Sequence, residues 1–286
     1  MVVNDLGASM RGEGTDAAVA AAVVSEIVDA GGAAVADGSD VSTPEGGRTV
    51  VESALEHFGR VDVLVNNAGI IRWAGFPKAD ADNLARHLAV HVGGSFHTAA
   101  AAWPHMAAQA YGRIVMTTSS GLFGLPDNLG YATAKGAVVG MARSLATAGA
   151  AHGIKVNLIA PAAFTRMAGE PEGEVGRGAD PMAKRLSADL VAPMVAVLAH
   201  ESCPVNGEIY AAGAGRFARI FLASTPGYVA PTTSVTPEDV AEHWEAVNDE
   251  EGYQVPSDLP GWSAAFLSHL PPGQGPGAAP AAGAGA

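Results

Sequence analysis

A tyrosine and a lysine near the middle of the chain have the spacing of a proton-transfer pair. Tyr131 and Lys135, in the stretch YATAK, open a segment of helical composition, and residues four apart on a helix lie about one turn from each other. A free tyrosine has a pKa of about 10 and therefore transfers protons poorly at neutral pH. An adjacent ammonium group lowers that pKa. The pair therefore predicts proton transfer at an alcohol or carbonyl oxygen.

Two hydroxyl side chains, Thr118 and Ser119, precede this helix at the end of a predicted strand. Either hydroxyl could hold the oxygen of a carbonyl or alcohol substrate. A Tyr-x-x-x-Lys spacing also occurs by chance at ordinary helix starts. The hydroxyls and a second motif make proton transfer the favoured interpretation.

The second motif is an apolar strand, VDVLV, that ends in Asn66, Asn67, Ala68 and Gly69. Small residues at the carboxyl edge of a parallel strand let a flat ligand approach the backbone, and asparagine amides can tie neighbouring strands together. A plain turn would also use Asn and Gly, but the complete tetrapeptide after an apolar strand is more specific.

Apolar runs alternate with helical patterns along most of the chain, which predicts an α/β fold with a doubly wound, Rossmann-like parallel sheet. We assign residues 1–215 to this domain, 216–265 to an extension and 266–286 to a disordered Pro/Gly/Ala tail. A further strand at 216–222 and a helix capped by Thr236 are expected in the extension. The predicted strands are 2–4, 33–36, 61–65, 113–117, 155–159 and 208–211, and the predicted helices are 16–30, 44–58, 81–108, 131–152 and 187–200.

Composition limits the partners. Of 286 residues, 16 are basic and 29 acidic, giving a formal net charge of −13, which argues against nucleic acid and anionic membranes. The single cysteine, Cys203, excludes an internal disulfide and fits a reducing compartment. The sequence shows no signal peptide or apolar run long enough for a membrane span, so we expect a cytoplasmic protein with a small-molecule substrate.

The motifs NNAG and YATAK, in this order, resemble the short-chain dehydrogenase/reductase family over about residues 2–215. The stretches VVNDLG, DVSTPEGG, FGRVDVLVNNAGI, PAAFTRM and GRFARIFLASTPGY are similar to the hydroxyacyl-CoA dehydrogenase domain of multifunctional beta-oxidation enzymes. The resemblance implies a homodimeric or homotetrameric NAD-dependent oxidoreductase that interconverts a secondary alcohol and a ketone. A 3-hydroxyacyl thioester is the expected substrate, and a steroid-like or other hydrophobic alcohol is the alternative.

The resemblance also implies catalytic roles. Tyr131 would be the acid/base, and Lys135 would lower its pKa and hold the nicotinamide ribose. The family's usual serine spacing falls on Thr118, one residue before Ser119, and we favour Ser119. A helix asparagine of the family's proton relay falls at His91, which could also be a packing residue or, with His87, half of a metal site.

Cofactor contacts carried over from the family lie after several strands. Asp5 would bind the adenosine ribose hydroxyls, which favours NAD over NADP, and substrate preference would lie in residues 164–186. In the nicotinamide loop the family's Pro-Gly is Pro161-Ala162. The remaining expected cofactor contacts are Asp40, Val41, Asn67, Ala68, Gly69, Tyr131, Lys135, Pro161 and Thr165.

Residues 2–4 match the family's second strand, so its first strand, glycine-rich phosphate loop and first helix have no counterpart. Loss of a central strand would leave two strand edges with unpaired backbone groups. We expect either that Met1 is an internal residue of a longer natural protein, or that the chain pairs its second and fourth family strands directly or with a partner's help. A non-catalytic, cofactor-deficient structural subunit is therefore the alternative function.

Overall fold

The computed structural model describes residues 1–165, 185–232 and 234–270. The chain divides into two compact units, Met1–Ile220 and Phe221–Ala286. Most of the predicted specificity segment 164–186 and of the predicted tail 266–286 lies outside the described residues. Within the described part, no helix is both long enough and apolar enough to cross a membrane.

The first unit alternates strands and helices, as predicted. The helix at 44–58 matches its prediction at both ends, because Thr43 caps its first turn and Gly59 ends it in the left-handed conformation. The strands are β1 Val2–Asn4, β2 Val35–Asp37, β3 Val63–Asn66, β4 Gly112–Thr117, β5 Ile154–Pro161, β6 Ile209–Gly213 and β7 Arg216–Ile220, and the helices are α1 Ala17–Asp29, α2 Pro44–Phe58, α3 Ala81–His87, α4 Gly94–Ala108, α5 Leu129–Gly149 and α6 Ala192–Ala199.

The main sheet has five strands in the order β3-β4-β5-β6-β7. Strands β3 to β6 are parallel, and β7, which the sequence placed in the extension, pairs antiparallel with β6. Side chains from β4 alternate between two cores: Ile114 and Met116 pack with α2, α4 and α5, and Val115 packs with α6. Both faces of the sheet are therefore covered by helices, as expected for near-continuously apolar strands.

Strands β1 and β2 form a separate two-stranded parallel sheet. The direct pairing considered between β1 and the strand now numbered β3 is not formed in the described residues. Paired strands must lie about 4.8 Å apart, whereas β1 is held against β2, α1 and α2. No described strand pairs with the other edge of β3, and its Val63 and Val65 side chains are 42% and 44% exposed.

The helix predicted over 81–108 is interrupted by one wide turn. It begins as α3, capped by Asp80, passes through a π-helical segment at Leu88–Gly93, and continues as α4. A π-helical turn holds one residue more than an α-helical turn. The hydrophobic pattern of the sequence did not reveal this wide turn. The turn carries His91, and both His87 and His91 are buried.

A buried arginine joins the start of β4 to the end of α6. The Arg113 guanidinium donates hydrogen bonds to four backbone carbonyls and lies over the Tyr111 ring, 4.4 Å from its centroid. Its carbonyl partners come from three separate parts of the chain, so one side chain fixes all three. The carbonyls belong to Gly112, Gly153, His200 and Glu201.

In its described residues, 221–232 and 234–270, the second unit contains three short helices, α7 Pro237–Glu242, α8 Trp244–Asn248 and α9 Leu259–Phe266. Thr236 caps α7 as predicted, and Asp239 returns the hydrogen bond in a capping box. Aromatic stacking holds this unit together, with Tyr228 and His243 ring centroids 3.9 Å apart.

Candidate active site

The two candidate hydroxyls at the end of β4 have different environments. Thr118 is fully buried, and its hydroxyl donates to the Lys135 carbonyl at 2.8 Å. Ser119 is half-buried; its Oγ accepts from the Gly121 amide at 3.0 Å, and its side chain acts on Tyr131 by lowering the pKa of the phenol. The Thr118 hydroxyl is therefore used inside the fold, whereas Ser119 faces the tyrosine.

Tyr131 and Lys135 lie on one face of α5, as their spacing predicted. Asn128 caps this helix by accepting from the Tyr131 amide at 3.4 Å. The Lys135 Nζ lies 5.6 Å from the Tyr131 ring centroid and donates to the Thr117 carbonyl at 2.8 Å. The lysine is thus tied to the end of β4, and Ser119, Tyr131 and Lys135 come together in one cluster.

Burial dominates the proton affinities in this cluster. It raises the pKa of Tyr131, although the hydrogen bond from Ser119 partly opposes that rise. It also lowers the pKa of Lys135 to about 7, because an ammonium loses hydration in the protein interior. In this structure the Lys135 ammonium is directed to the Thr117 carbonyl, and burial is the main cause of the raised pKa of Tyr131. That Lys135 lowers the pKa of the tyrosine stays a prediction.

His91 lies beside the tyrosine as a neutral ring. Its centroid is 5.4 Å from that of Tyr131 in an edge-on arrangement, and burial is the main cause that lowers its pKa to about 3. Its Nε2 lies 2.8 Å from the Ile70 carbonyl oxygen and 3.3 Å from the Ile70 amide nitrogen, and the shorter contact assigns the proton to Nε2. Its Nδ1 is then an acceptor, buried and without a hydrogen-bond partner in the described structure.

His87 stacks on His91 with ring centroids 6.0 Å apart. Both of its ring nitrogens contact backbone, Nδ1 at the Asn83 carbonyl and Nε2 at the Arg72 amide. Burial lowers the pKa of His87. Among the described residues, no group of three or more His, Cys, Asp or Glu side chains could hold a metal ion.

The NNAG segment joins β3 to its neighbours, as predicted. The side-chain Oδ1 of Asn67 accepts from the Thr117 hydroxyl at 3.0 Å, and the side-chain Oδ1 of Asn66 accepts from the Thr98 hydroxyl at 2.7 Å. At Gly69 a Cβ would lie 2.5 Å from Cε1 of His91, so the absence of a side chain there makes room for the imidazole. Asn67, Ala68 and Gly69 are all exposed at this strand end.

The expected adenosine-binding residues lie after β1 and β2. Asp5 is exposed and accepts from the Gly7 amide at 2.7 Å, and the Asp40 carboxylate accepts from Ser42 at 2.9 Å. The Val41 carbonyl contacts Nδ1 of His97 at 3.1 Å. An exposed carboxylate at a strand end suits a ribose diol. The start of α1, by contrast, is already capped by a carboxylate, Asp16, so it does not suit a pyrophosphate.

The expected nicotinamide loop begins at the end of β5. Pro161 is the last residue of that strand, and the Ala162 amide donates to the Ala212 carbonyl at 2.8 Å. Thr165 is half-buried and is the last residue described before the gap. These two residues lie at the carboxyl edge of the sheet, as do Asn67 and Ser119.

Two residues of the cluster were missed by sequence reasoning. Thr117 anchors both Lys135 and Asn67, through its carbonyl and its hydroxyl. Asn128 caps α5 and is fully buried, and its amide nitrogen has no hydrogen-bond partner among the described residues. Its position three residues before Tyr131 matches the N-cap preference for asparagine, and that signal was available in the sequence.

Comparisons with known proteins agree with this geometry. The family model for short chain dehydrogenase matches residues 5–172. A short-chain type dehydrogenase/reductase of Mycobacterium tuberculosis is 39% identical over 261 residues, covering 89% of this chain and 87% of that protein. Peroxisomal multifunctional enzyme type 2 of Mus musculus is 38% identical over 264 residues, which cover 91% of this chain but only 34% of that protein.

A solved structure gives the same result. Full-length peroxisomal multifunctional enzyme type 2 from Drosophila melanogaster superposes with a TM-score of 0.75 at 32% identity, covering 93% of this chain and 48% of that one. The chain thus spans about half or less of the multifunctional relatives. With its Ser119, Tyr131 and Lys135 cluster at the carboxyl edge of a parallel sheet, the chain belongs to the short-chain dehydrogenase family of oxidoreductases.

Proposed function

We propose that the chain is an NAD-dependent oxidoreductase that interconverts a secondary alcohol and a ketone. The observation that supports this most is the convergence of Ser119 and Lys135 on Tyr131. A hydroxyl donor, a proton-transfer group and a buried cation are the parts needed to move a proton at a carbonyl oxygen. The likeness to the hydroxyacyl-CoA dehydrogenase branch supports a 3-hydroxyacyl thioester as substrate.

In the proposed mechanism the Ser119 hydroxyl donates to the substrate oxygen and holds it beside Tyr131. The Tyr131 phenol gives its proton to that oxygen in ketone reduction, and the phenolate takes the proton back in alcohol oxidation. A nicotinamide, when bound, supplies or accepts the hydride at the carbon that carries this oxygen. Lys135, held by the Thr117 carbonyl, would contact the nicotinamide ribose. The free Nδ1 of His91 would accept a hydrogen bond in a proton relay.

The residues after β1, β2, β3 and β5 fit the adenosine and nicotinamide parts of NAD. Exposed Asn67, Ala68 and Gly69 give a flat ligand access to the backbone, and the exposed Asp5 favours NAD by repelling the additional phosphate of NADP. Asp40 and Val41 would contact adenine, and Pro161 and Thr165 would cover the nicotinamide. We also propose a homodimer or homotetramer.

A second candidate function is a non-catalytic subunit. It is favoured by the unpaired edge of β3 and by the start of α1, which Asp16 already caps. Such a chain would lack affinity for the pyrophosphate of a dinucleotide.

A melting-temperature titration with NAD, and with NADP in parallel, separates the two candidates. Ligand at about 100 times Kd stabilises the folded state by about 2.7 kcal/mol, so an enzyme should melt at a higher temperature with NAD and less so with NADP. An Asp5→Asn variant should lose this preference, while Asp62→Asn, at an exposed salt bridge with Arg60, should keep it. No shift with either dinucleotide would support the structural subunit.

A further inference from the structure

Three side chains, each four residues from the next, hold the backbone of one short segment. The side chains are Asn83, His87 and His91, and the segment is residues 70–72, directly after the NNAG motif. Asn83 Nδ2 donates to the Arg72 carbonyl at 2.9 Å, and His87 Nε2 accepts from the Arg72 amide at 3.2 Å. His91 contacts the backbone of residue 70 at the other end of the segment. We name these three side chains the polar ladder.

The contacts of His87 determine which of its nitrogens carries the proton. Because a backbone amide can only donate, the contact with the Arg72 amide requires Nε2 to be an acceptor. The proton of the neutral ring then lies on Nδ1, which is 2.8 Å from the Asn83 carbonyl oxygen. Burial lowers the pKa of His87, so the neutral ring is the form present at neutral pH. The stacked histidines therefore have opposite tautomers, Nδ1–H at His87 and Nε2–H at His91.

A glycine on α5 makes room for the polar ladder. A Cβ at Gly130 would lie 2.8 Å from Nδ1 of His87 and 2.5 Å from Oδ1 of Asn83. Gly130 is buried and directly precedes Tyr131 in the helix. The backbone of α5 therefore approaches the polar ladder immediately before the proton-transfer residue.

The phenol ring of Tyr131 lies edge-on to both imidazoles of the polar ladder. Its centroid is 6.2 Å from that of His87 and 5.4 Å from that of His91, at interplanar angles of 80° and 87°. Aromatic pairs favour this geometry. The two imidazoles are within 6° of parallel, so a rotation of either one would change the surface against which the phenol packs. The hydrogen bonds that fix the imidazoles therefore also limit the orientation of the phenol.

We propose that His87 is a positioning residue for Tyr131. Its two hydrogen bonds fix the ring that stacks on His91 and packs against the phenol, so that Tyr131 keeps one orientation toward the substrate oxygen. This inference rests on the proposed alcohol–ketone reaction. Displacing a reacting group by about 1 Å can lower a rate by about 100-fold. We expect loss of the His87 hydrogen bonds to lower kcat by about tenfold and to change KM by less than about threefold, because both nitrogens of His87 are used inside the fold.

The kinetic test follows the reduction of the 3-oxobutanoyl N-acetylcysteamine thioester by NADH. His87→Gln supplies an acceptor for the Arg72 amide and should keep kcat within about threefold of wild type. His87→Phe keeps an aromatic ring but no hydrogen-bonding group, and its kcat should fall by about tenfold. His57→Phe is the matched control and should leave kcat unchanged. Nδ1 of His57 also contacts the carbonyl four residues earlier, that of Ser53 at 2.9 Å, but on the exposed last turn of α2.

An NMR measurement on the ligand-free wild type tests the same inference without turnover. Long-range proton–nitrogen spectra show which nitrogen of each neutral imidazole carries the proton, and the His87 signals are identified by their loss in His87→Gln. We expect Nδ1–H at His87. A proton on Nε2 of His87 would overturn the inference, because that nitrogen could not then accept from the Arg72 amide.

The two proposals fail in different experiments. No turnover of the thioester by wild type with NADH or NADPH would refute the proposed reaction, and the tautomer of His87 would still count for or against the polar ladder. A wild-type kcat in His87→Phe, or a loss that appears only in KM, would overturn the positioning role. If His87→Phe shows no cooperative melt, His87→Asn takes its place: it keeps a donor for the Asn83 carbonyl but no acceptor for the Arg72 amide, and the same fall in kcat is expected.

Discussion

Replacing Lys135 by methionine should change how the stability of this protein depends on pH. The lysine is buried, its Nζ donates to the Thr117 carbonyl, and burial lowers its pKa to about 7. Methionine keeps an unbranched chain of comparable length but cannot carry the proton. The variant therefore isolates the cost of burying the ammonium.

The sign follows from proton binding. A lysine in the unfolded chain has a pKa of about 10.4, whereas Lys135 in the folded chain has a pKa of about 7. Between these two pH values the unfolded chain therefore binds more protons than the folded chain. The free energy of unfolding of wild type must then rise with pH in that interval. For Lys135 alone, the rise from pH 7 to pH 9 is about 2 kcal/mol. Lys135→Met lacks this contribution.

Urea unfolding of the ligand-free protein at pH 7, 8 and 9 measures the difference. The lost hydrogen bond to Thr117 adds a constant offset, because the carbonyl does not titrate, so the test lies in the slope. Lys78→Met, at an exposed lysine, controls for the change in net charge. If the difference between wild type and Lys135→Met stays constant within about 0.5 kcal/mol over this range, the ammonium does not have a depressed pKa and our account of the cluster is wrong.

Three further predictions concern the same unit. The raised pKa of Tyr131 should make alcohol oxidation accelerate with pH above neutrality while ketone reduction does not, and Tyr131→Phe should lower both initial rates at least about 100-fold. Gly69→Ala should reduce activity in wild type but much less in a His91→Ala background, because the added Cβ meets the imidazole; equal losses in both backgrounds would contradict this. Arg113→Met should reduce the free energy of unfolding, measured by urea titration, by about 3 kcal/mol, because it removes the hydrogen-bond donor from four backbone carbonyls. Arg113→Lys should recover only part of this lost stability.

Local signals in the sequence were sufficient for much of the fold. Helix α2 matches its prediction because a threonine cap, a proline in the first turn and a closing glycine are all local features. The shared face of Tyr131 and Lys135 also follows from spacing alone. Likewise, the tie between Asn67 and Thr117 required only that parallel strands end at one edge, whereas Asn66 is tied to Thr98 of α4.

Other properties depend on contacts between distant parts of the chain. The direction of the Tyr131 pKa could not be predicted, because it is set by burial rather than by the neighbouring lysine. The different environments of Thr118 and Ser119 depend on the Lys135 carbonyl, which lies seventeen residues after Thr118 and accepts its hydroxyl. The separation of β1 from β3 depends on which strands pair, and no local feature of either strand specifies its partner.

The wide turn at Leu88–Gly93 sets the rotational phase between two halves of one long helix. An α-helix advances about 100° per residue, and each half is fixed independently: His87 by the Arg72 amide, and Thr98 by Asn66. One extra residue in the turn lets both attachments form at once. Deleting a single residue there would rotate one half by about 100°, so the helix could keep either the histidines against Tyr131 or the tie to β3, but not both.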